Sequence, residues 1–99
     1  MSVYLIYQRL ELWDSSFRDT YRALAEASVK KHGGTYLTVS RDNVLLEGRG
    51  LPEVVGILEF PSAEAAQTWY HSEDYQEAVK LRNTGSRASF MIVGAYPRP

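Results

Sequence analysis

A strand that leads directly into two short helices, over residues 58–75, constrains the fold of this chain more than any other segment. The apolar run that ends at Phe60 is typical of a buried strand, and Pro61 cannot continue it. Ser62 is a favourable helix N-cap, and Ser72 offers a second helix start further along. The segment therefore predicts a strand, a helix and another helix in immediate succession.

An earlier strand and helix precede this segment. Residues 3–12 are rich in aromatic and branched side chains, which is typical of a strand. Asp14, Ser15 and Ser16 are three possible N-caps, and Ser16 with Asp19 approximates a capping box. Apolar side chains then recur at helical spacing over residues 17–29. Gly33-Gly34 ends this helix because glycine takes the left-handed conformation without a steric penalty.

The remaining strands complete the order of elements. Residues 35–41 alternate and carry branched side chains, and residues 44–48 continue in an extended conformation. Residues 54–60 and 89–95 form the last two strands. The order strand, helix, strand, strand, helix, strand predicts an α+β fold, the ferredoxin-like βαββαβ sandwich. Its four-stranded antiparallel sheet carries the helices on one face.

A chain of 99 residues has room for one hydrophobic core, so we expect a single domain over residues 1–96 and a tail at 97–99. Helices on one face leave the other face of the sheet open. Either the set Val3, Leu5 and Tyr7 or its alternates on the same strand would lie there. An open apolar face marks an interaction surface, and two such faces would pair into a homodimer with a barrel-like centre.

Charge and composition exclude several classes of function. Eleven basic and twelve acidic residues give a net charge of -1, which argues against a nucleic-acid or anionic-membrane surface. There is no cysteine, and His32 and His71 lie on different elements without metal-ligand spacing, so we expect no metal and no cofactor. No signal peptide or transmembrane run is recognisable, and we expect a cytoplasmic protein.

Short motifs follow one another in order along nearly the whole chain. They are Tyr4, Asp14, Tyr21, Gly33-Gly34, Leu46-Glu47-Gly48, Glu59-Phe60-Pro61-Ser62, Ala66, Trp69-Tyr70, Ser72, Tyr75, Leu81-Arg82 and Val93-Gly94. Together they resemble the domain-of-unknown-function family 1330 of the dimeric α/β barrel superfamily. The resemblance implies a ferredoxin-like protomer in a homodimer, usually a small bacterial cytoplasmic protein, and no settled reaction. The chain departs from the family pattern at Arg49-Gly50-Leu51, where members often place an aromatic residue before the proline.

A buried arginine is the main indication of a binding site. Tyr21 and Arg82 each lie on the apolar stripe of a predicted helix, and a buried charge needs a partner. Glu47 and Glu59 stand at strand ends and could supply it. Such a pair, with Tyr21 and Tyr70 nearby, would bind a small carboxylate or polarise a carbonyl. The alternative is an internal ion pair that ties helix to sheet.

Four residues around the helix junction leave similar alternatives open. His71 could act as a general base, since an unperturbed histidine titrates near pH ~6.5, or it could simply point into solvent. Trp69 and Tyr70, with Tyr75, either pack in the core or line a pocket for a planar ligand.

Two hypotheses about function follow. In the first, implied by the superfamily, the protein is a cofactor-free oxygenase, isomerase or lyase that acts on a small organic acid, aromatic acids included. Arg82 would anchor the anion, Glu59 or His71 would move a proton, and Tyr21 with Tyr70 would stabilise an oxyanion. In the second, the protein is a non-catalytic dimer that binds a metabolite or another protein. We favour the first hypothesis and keep the second as the alternative.

Overall fold

Four antiparallel strands form one sheet in the computed structural model, which describes residues 2–95. The strands are β1 (Val3–Leu12), β2 (Thr35–Ser40), β3 (Val54–Phe60) and β4 (Ser86–Gly94), arranged in the order β2-β3-β1-β4. The helices are α1 (Arg18–Lys31), α2 (Ala63–His71) and α3 (Glu73–Arg82), and a 3-10 turn at Ser15–Phe17 precedes α1. This arrangement confirms the predicted ferredoxin-like fold, with a sheet that is open in the single chain.

The core lies between the sheet and the three helices. Leu5 and Leu58 pair across β1 and β3, and both are buried beneath the helices with Phe60. Trp69 of α2 and Tyr75 of α3 pack against them from the helical layer. All three helices therefore cover the same face of the sheet.

The opposite face of the sheet is open in the single chain. Because side chains alternate along a strand, Tyr4 and Ile6 lie on the face away from Leu5. Ile57 of β3 and Met91 of β4 pair with Ile6 and belong to the same face. The sequence left open which set of β1 side chains lies on the open face. It is the set that contains Tyr4 and Ile6, not the set that contains Leu5. We call this surface, together with Val55 and Val93, the open sheet face.

Two local predictions are wrong. Residues 44–48 do not continue β2, because Ser40 already pairs with Val55 near the start of β3 and later residues have no strand beside them. The capping box of Ser16 and Asp19 does not form, since Asp14 accepts the backbone N–H of Ser16 at 2.9 Å and starts the 3-10 turn instead. The predicted tail, residues 97–99, lies outside the described residues. Within residues 2–95 no helix has the length and hydrophobicity needed to cross a membrane.

Candidate functional site

Helix α3 positions the arginine that the sequence singles out. Ser72 caps the helix by accepting the backbone N–H of Tyr75 at 3.3 Å. Tyr75, Ala78 and Arg82 then fall on one buried face of the helix. Helical spacing therefore carries Arg82, in the last turn, beneath the protein surface, where it is only 7% exposed.

The guanidinium of Arg82 is buried without an acidic partner. One of its terminal nitrogens donates to Asn83 Oδ1 at 3.0 Å, and its Cζ lies 4.5 Å from the centroid of the Phe90 ring. The buried Nε atom has no hydrogen-bond partner. Among residues 2–95 no carboxylate forms an ion pair with this side chain. The positive charge is thus surrounded by a ring face, a neutral amide and the hydroxyls of Tyr21 and Tyr75, and these neutral groups compensate it only in part.

Two tyrosines join α1 to α3 beside Arg82. The hydroxyl oxygens of Tyr21 and Tyr75 lie 2.8 Å apart, so one hydroxyl donates to the other. Burial raises the pKa of both phenols, and the nearby Arg82 guanidinium offsets part of the rise. Both side chains therefore stay neutral at physiological pH and act as hydrogen-bond donors as well as acceptors.

A cavity of about 560 Å³ opens between α3, the end of α2 and β4. Its polar lining includes Tyr70, His71 and Arg82 together with Gln67 and Asn83. Phe90 and Ile92 supply apolar walls from β4. His71 is exposed at the end of α2, whereas Tyr70 is half-buried. The cavity, which we call the α3 cavity, thus combines one buried cation with aromatic walls and a titratable side chain.

The structure brings some of the predicted site residues together and separates others. Tyr70, His71 and Arg82 line the α3 cavity, and Tyr21 reaches its vicinity through Tyr75. Trp69 is a core residue instead: it is 2% exposed, and its Nε1 donates to Ser28 Oγ at 3.0 Å.

The two candidate acidic partners of Arg82 lie elsewhere. Glu59 pairs with Tyr4 and Thr35, and alternation with the buried Leu58 places it on the open sheet face. Glu47 is exposed in the segment between β2 and β3. Neither forms the predicted ion pair with Arg82. Arg82 lies on the helical side of the sheet, whereas Glu59 lies on the open sheet face and Glu47 lies in the connecting segment.

Sequence reasoning missed Phe90, on which the Arg82 guanidinium rests. A signal for it was present, since Phe90 lies within the predicted last strand and alternation places it on the same face as Ile92. The pairing of Phe90 with Tyr7 across β1 and β4 could not be predicted, because the register of two strands far apart in sequence depends on tertiary packing. Within residues 2–95 no group of three or more potential ligands is placed to hold a metal ion.

Comparison with known proteins first places the chain among ferredoxin-like proteins. A protein of unknown function from Rhodopseudomonas palustris, RPA0582, superimposes with a TM-score of 0.77 at 16% identity, covering 98% of this chain and 84% of that one. SnoaB, a cofactor-independent oxygenase from Streptomyces nogalater, gives a TM-score of 0.63 at 12% identity, over 98% and 94% of the two chains. A dimeric ferredoxin-like protein of unknown function from Thermobifida fusca YX gives 0.59 at 10%, over 96% and 92%.

The family is narrower than the fold. Residues 2–96 match the family described as Domain of unknown function (DUF1330), and this chain belongs to that family. No curated protein matches it. The structural likenesses are all distant in sequence and show the fold alone.

Proposed function

We propose that this protein binds a small organic acid in the α3 cavity and acts on it as a cofactor-free enzyme of the oxygenase, isomerase or lyase type. The observation that carries the proposal is the buried Arg82 guanidinium, which has no carboxylate partner within residues 2–95. A buried charge is costly unless a counter-charge and hydrogen bonds compensate it. A ligand carboxylate would supply both, because it matches the two-pronged geometry of a guanidinium.

The other lining residues support a chemical role for this cavity. An acid bound to Arg82 would lie beside the Phe90 ring, which favours a flat or aromatic ligand. His71 would accept a proton from a carbon next to a carbonyl, and the electron pair released would move onto the carbonyl oxygen. Tyr70 and Arg82 would stabilise that oxyanion. The fold shared with SnoaB is compatible with such chemistry, by analogy only.

A non-catalytic role is the second candidate, and the packing of the aromatic residues favours it. The rings of Trp69 and Tyr75 lie 4.1 Å apart, and Trp69 also packs against Phe60. Trp69 and Tyr75 are therefore buried in the core. Without these two side chains the α3 cavity has fewer groups that could take part in a reaction. It would then suit a metabolite-binding protein in which His71 has no role in catalysis.

A ligand screen on three proteins tests the proposal. Thermal shifts would be measured with aromatic and aliphatic carboxylates on the wild type, on Arg82→Lys and on His71→Ala. An acid at a hundred times its Kd should stabilise the wild type by about 2.7 kcal/mol. Arg82→Lys keeps the charge but loses the fork, so it should lose most of this shift. His71→Ala should bind normally and lose turnover.

Three outcomes decide the matter. Binding that is unchanged in Arg82→Lys would contradict the site, as would the absence of any shift in the wild type. Binding lost with Arg82→Lys, without turnover in the wild type, would favour the metabolite-binding role. Circular dichroism of Arg82→Lys is measured first, so that a loss of binding is attributed to the site only when the fold is intact.

We further propose that two chains associate through the open sheet face into a homodimer. The face carries Tyr4, Ile6, Ile57 and Met91 in one contiguous strip across β3, β1 and β4, which is unusual for a surface that stays in water. The dimeric T. fusca protein shares the fold.

A cytoplasmic location fits a chain without cysteine, because reducing compartments do not support disulfides.

A further inference from the structure

A second cleft, separate from the α3 cavity, lies between α1 and the sheet. Its volume is about 640 Å³, and strands β1, β2 and β3 form its floor. The two cavities share no lining residue. Tyr7, which lines this cleft, stacks on Phe90, which lines the α3 cavity, with ring centroids 5.0 Å apart. We call the second opening the α1 cleft.

Three tyrosines from three different elements meet in the α1 cleft. Tyr7 comes from β1, Tyr21 from α1 and Tyr36 from β2. The Tyr21 hydroxyl is bonded to Tyr75, whereas those of Tyr7 and Tyr36 have no hydrogen-bond partner within residues 2–95. Burial, helped by the neighbouring phenols, raises the pKa of Tyr36 and brings that of Tyr7 to about 12. Both hydroxyls therefore remain protonated and can donate.

Two arginines beside these tyrosines share a single carboxylate. Arg9, only 8% exposed, donates to Glu53 Oε2 at 3.1 Å, and Arg41 Nε lies 3.8 Å from Glu53 Oε1. The backbone N–H of Glu53 also donates to the Arg9 carbonyl at 2.8 Å, which holds the carboxylate in place. One negative charge therefore faces two positive charges at this end of the cleft.

The rim adds no net charge to this balance. Arg22 pairs with Glu26 at 3.1 Å on the outer side of α1, and Arg18 lies next to Asp19 in the sequence. The cleft therefore has an excess of one positive charge, which comes from Arg9, Arg41 and Glu53 at its floor. Together with the free phenolic hydroxyls, the floor offers hydrogen-bond donors and unmatched positive charge between aromatic rings.

We propose that the α1 cleft is a second ligand site, specific for a small aromatic or cyclic monoanion that carries at least one further oxygen acceptor. Its carboxylate would lie between Arg41 and the Arg9–Glu53 pair, where the positive charge exceeds the negative. Its second oxygen would accept from Tyr7 or Tyr36, and its ring would pack against theirs. The site is independent of Arg82, so it does not rest on the chemistry proposed for the α3 cavity.

The test is an NMR titration of the wild type with 4-hydroxybenzoate, using its uncharged amide as the matched ligand control. Binding in the α1 cleft should shift the backbone amides of Ala25, Tyr36 and Val39, and the amide analogue should bind about tenfold more weakly. Tyr36→Phe removes one hydroxyl and Arg41→Gln removes one charge without a change of backbone. Each should weaken binding in the α1 cleft by about tenfold, whereas Thr68→Ala, at an exposed position of α2 outside both cavities, should leave it unchanged.

The pattern of shifts separates the two proposed sites. Shifts confined to residues such as Gln67 and Ala88 would place the acid in the α3 cavity alone and overturn this inference. An affinity that is equal for the acid and its amide, or unchanged in both cleft variants, would overturn it too. Shifts in the cleft whose affinity falls about tenfold in Tyr36→Phe and in Arg41→Gln would establish it, whatever happens at Arg82.

Discussion

Gly56 and Tyr7 show how a single residue sets the shape of a cavity. The two residues pair across β3 and β1, and the Tyr7 ring lies directly over the glycine. A Cβ atom at position 56 would overlap the ring atoms of Tyr7. The missing side chain therefore keeps Tyr7 flat between Phe90 and the α1 cleft, where its hydroxyl can reach a ligand.

Replacement of this glycine should be costly. Gly56→Ala forces the Tyr7 ring out of its position in a packed layer, and we expect a loss of about 1–3 kcal/mol in the free energy of unfolding. Gly94→Ala is the matched control, because a Cβ atom there meets nothing within 4 Å. It should change stability by less than ~0.5 kcal/mol. Urea denaturation of both variants measures the difference, and equal stabilities would contradict this account.

The same tyrosine should make stability fall at alkaline pH. Burial raises the Tyr7 pKa to about 12, against ~10 in the unfolded chain, so the folded state holds the phenolic proton more tightly. This contribution is fully present below pH ~10 and is lost as the pH rises towards ~12. Between these values the wild type should lose about 2 kcal/mol more than Tyr7→Phe. Parallel curves of unfolding free energy against pH for the two proteins would refute the prediction.

At the scale of elements, one serine joins two helices. Ser72 ends α2 and starts α3: its hydroxyl donates to the Trp69 carbonyl at 2.6 Å and accepts the Tyr75 N–H at 3.3 Å. Ser62 starts α2 by accepting the Ala65 N–H at 3.0 Å. Both caps were predictable, because capping depends on residues within one turn. The joint at Ser72 sets the angle at which α3 presents Arg82.

Removal of either cap should destabilise the helical layer. We expect Ser62→Ala to cost about 1 kcal/mol, and Ser72→Ala somewhat more because it loses two hydrogen bonds. Ser62→Asp keeps an acceptor and should recover most of the loss. Thr68→Ala, at an exposed position inside α2, is the control and should change stability by less than ~0.5 kcal/mol. Denaturation at one fixed protein concentration measures all four variants, and a Ser62→Asp variant as unstable as Ser62→Ala would argue against capping.

The segment between β2 and β3 shows the limit of local prediction. Its apolar residues Val44 and Leu46 suggest a strand, yet they are 80% and 93% exposed. Residues with strand propensity form a strand where a neighbouring strand offers hydrogen bonds. No residue of β3 remains to pair with this segment, because Ser40 already pairs with Val55 near the start of β3. The segment therefore adds exposed apolar surface to the molecule.

At the scale of the whole molecule, the helices leave one face of the sheet uncovered, and apolar side chains lie on that face. The open sheet face presents half-buried Ile6 and Ile57 and exposed Met91. A domain of this size buries a modest share of its surface, so a second copy is a ready source of further burial. The proposed homodimer follows from this distribution.

A charge placed in the centre of the open sheet face should separate the dimer. We expect the wild type to sediment as a dimer and Ile57→Lys to weaken association by at least about tenfold, because an unpaired charge would be buried. Thr68→Lys, on the exposed side of α2, is the matched control and should remain dimeric. Sedimentation equilibrium at several concentrations measures both, with circular dichroism to verify folding. A monomeric wild type, or a dimeric Ile57→Lys, would contradict the interface.

The sequence alone determined the order of the elements and both serine caps, and it singled out Tyr70, His71 and Arg82 as candidate site residues. Periodicity, capping and helical spacing are local properties, so Tyr70 and Arg82 could be placed on the inner faces of their helices before any contact was known. Only the tertiary structure showed that Glu59 lies on the opposite face from Arg82 and that Phe90 lies beneath the guanidinium. It also brought Tyr7, Tyr21 and Tyr36 together in one cleft. These outcomes depend on strand register and layer packing between residues far apart in the chain, which no local pattern specifies.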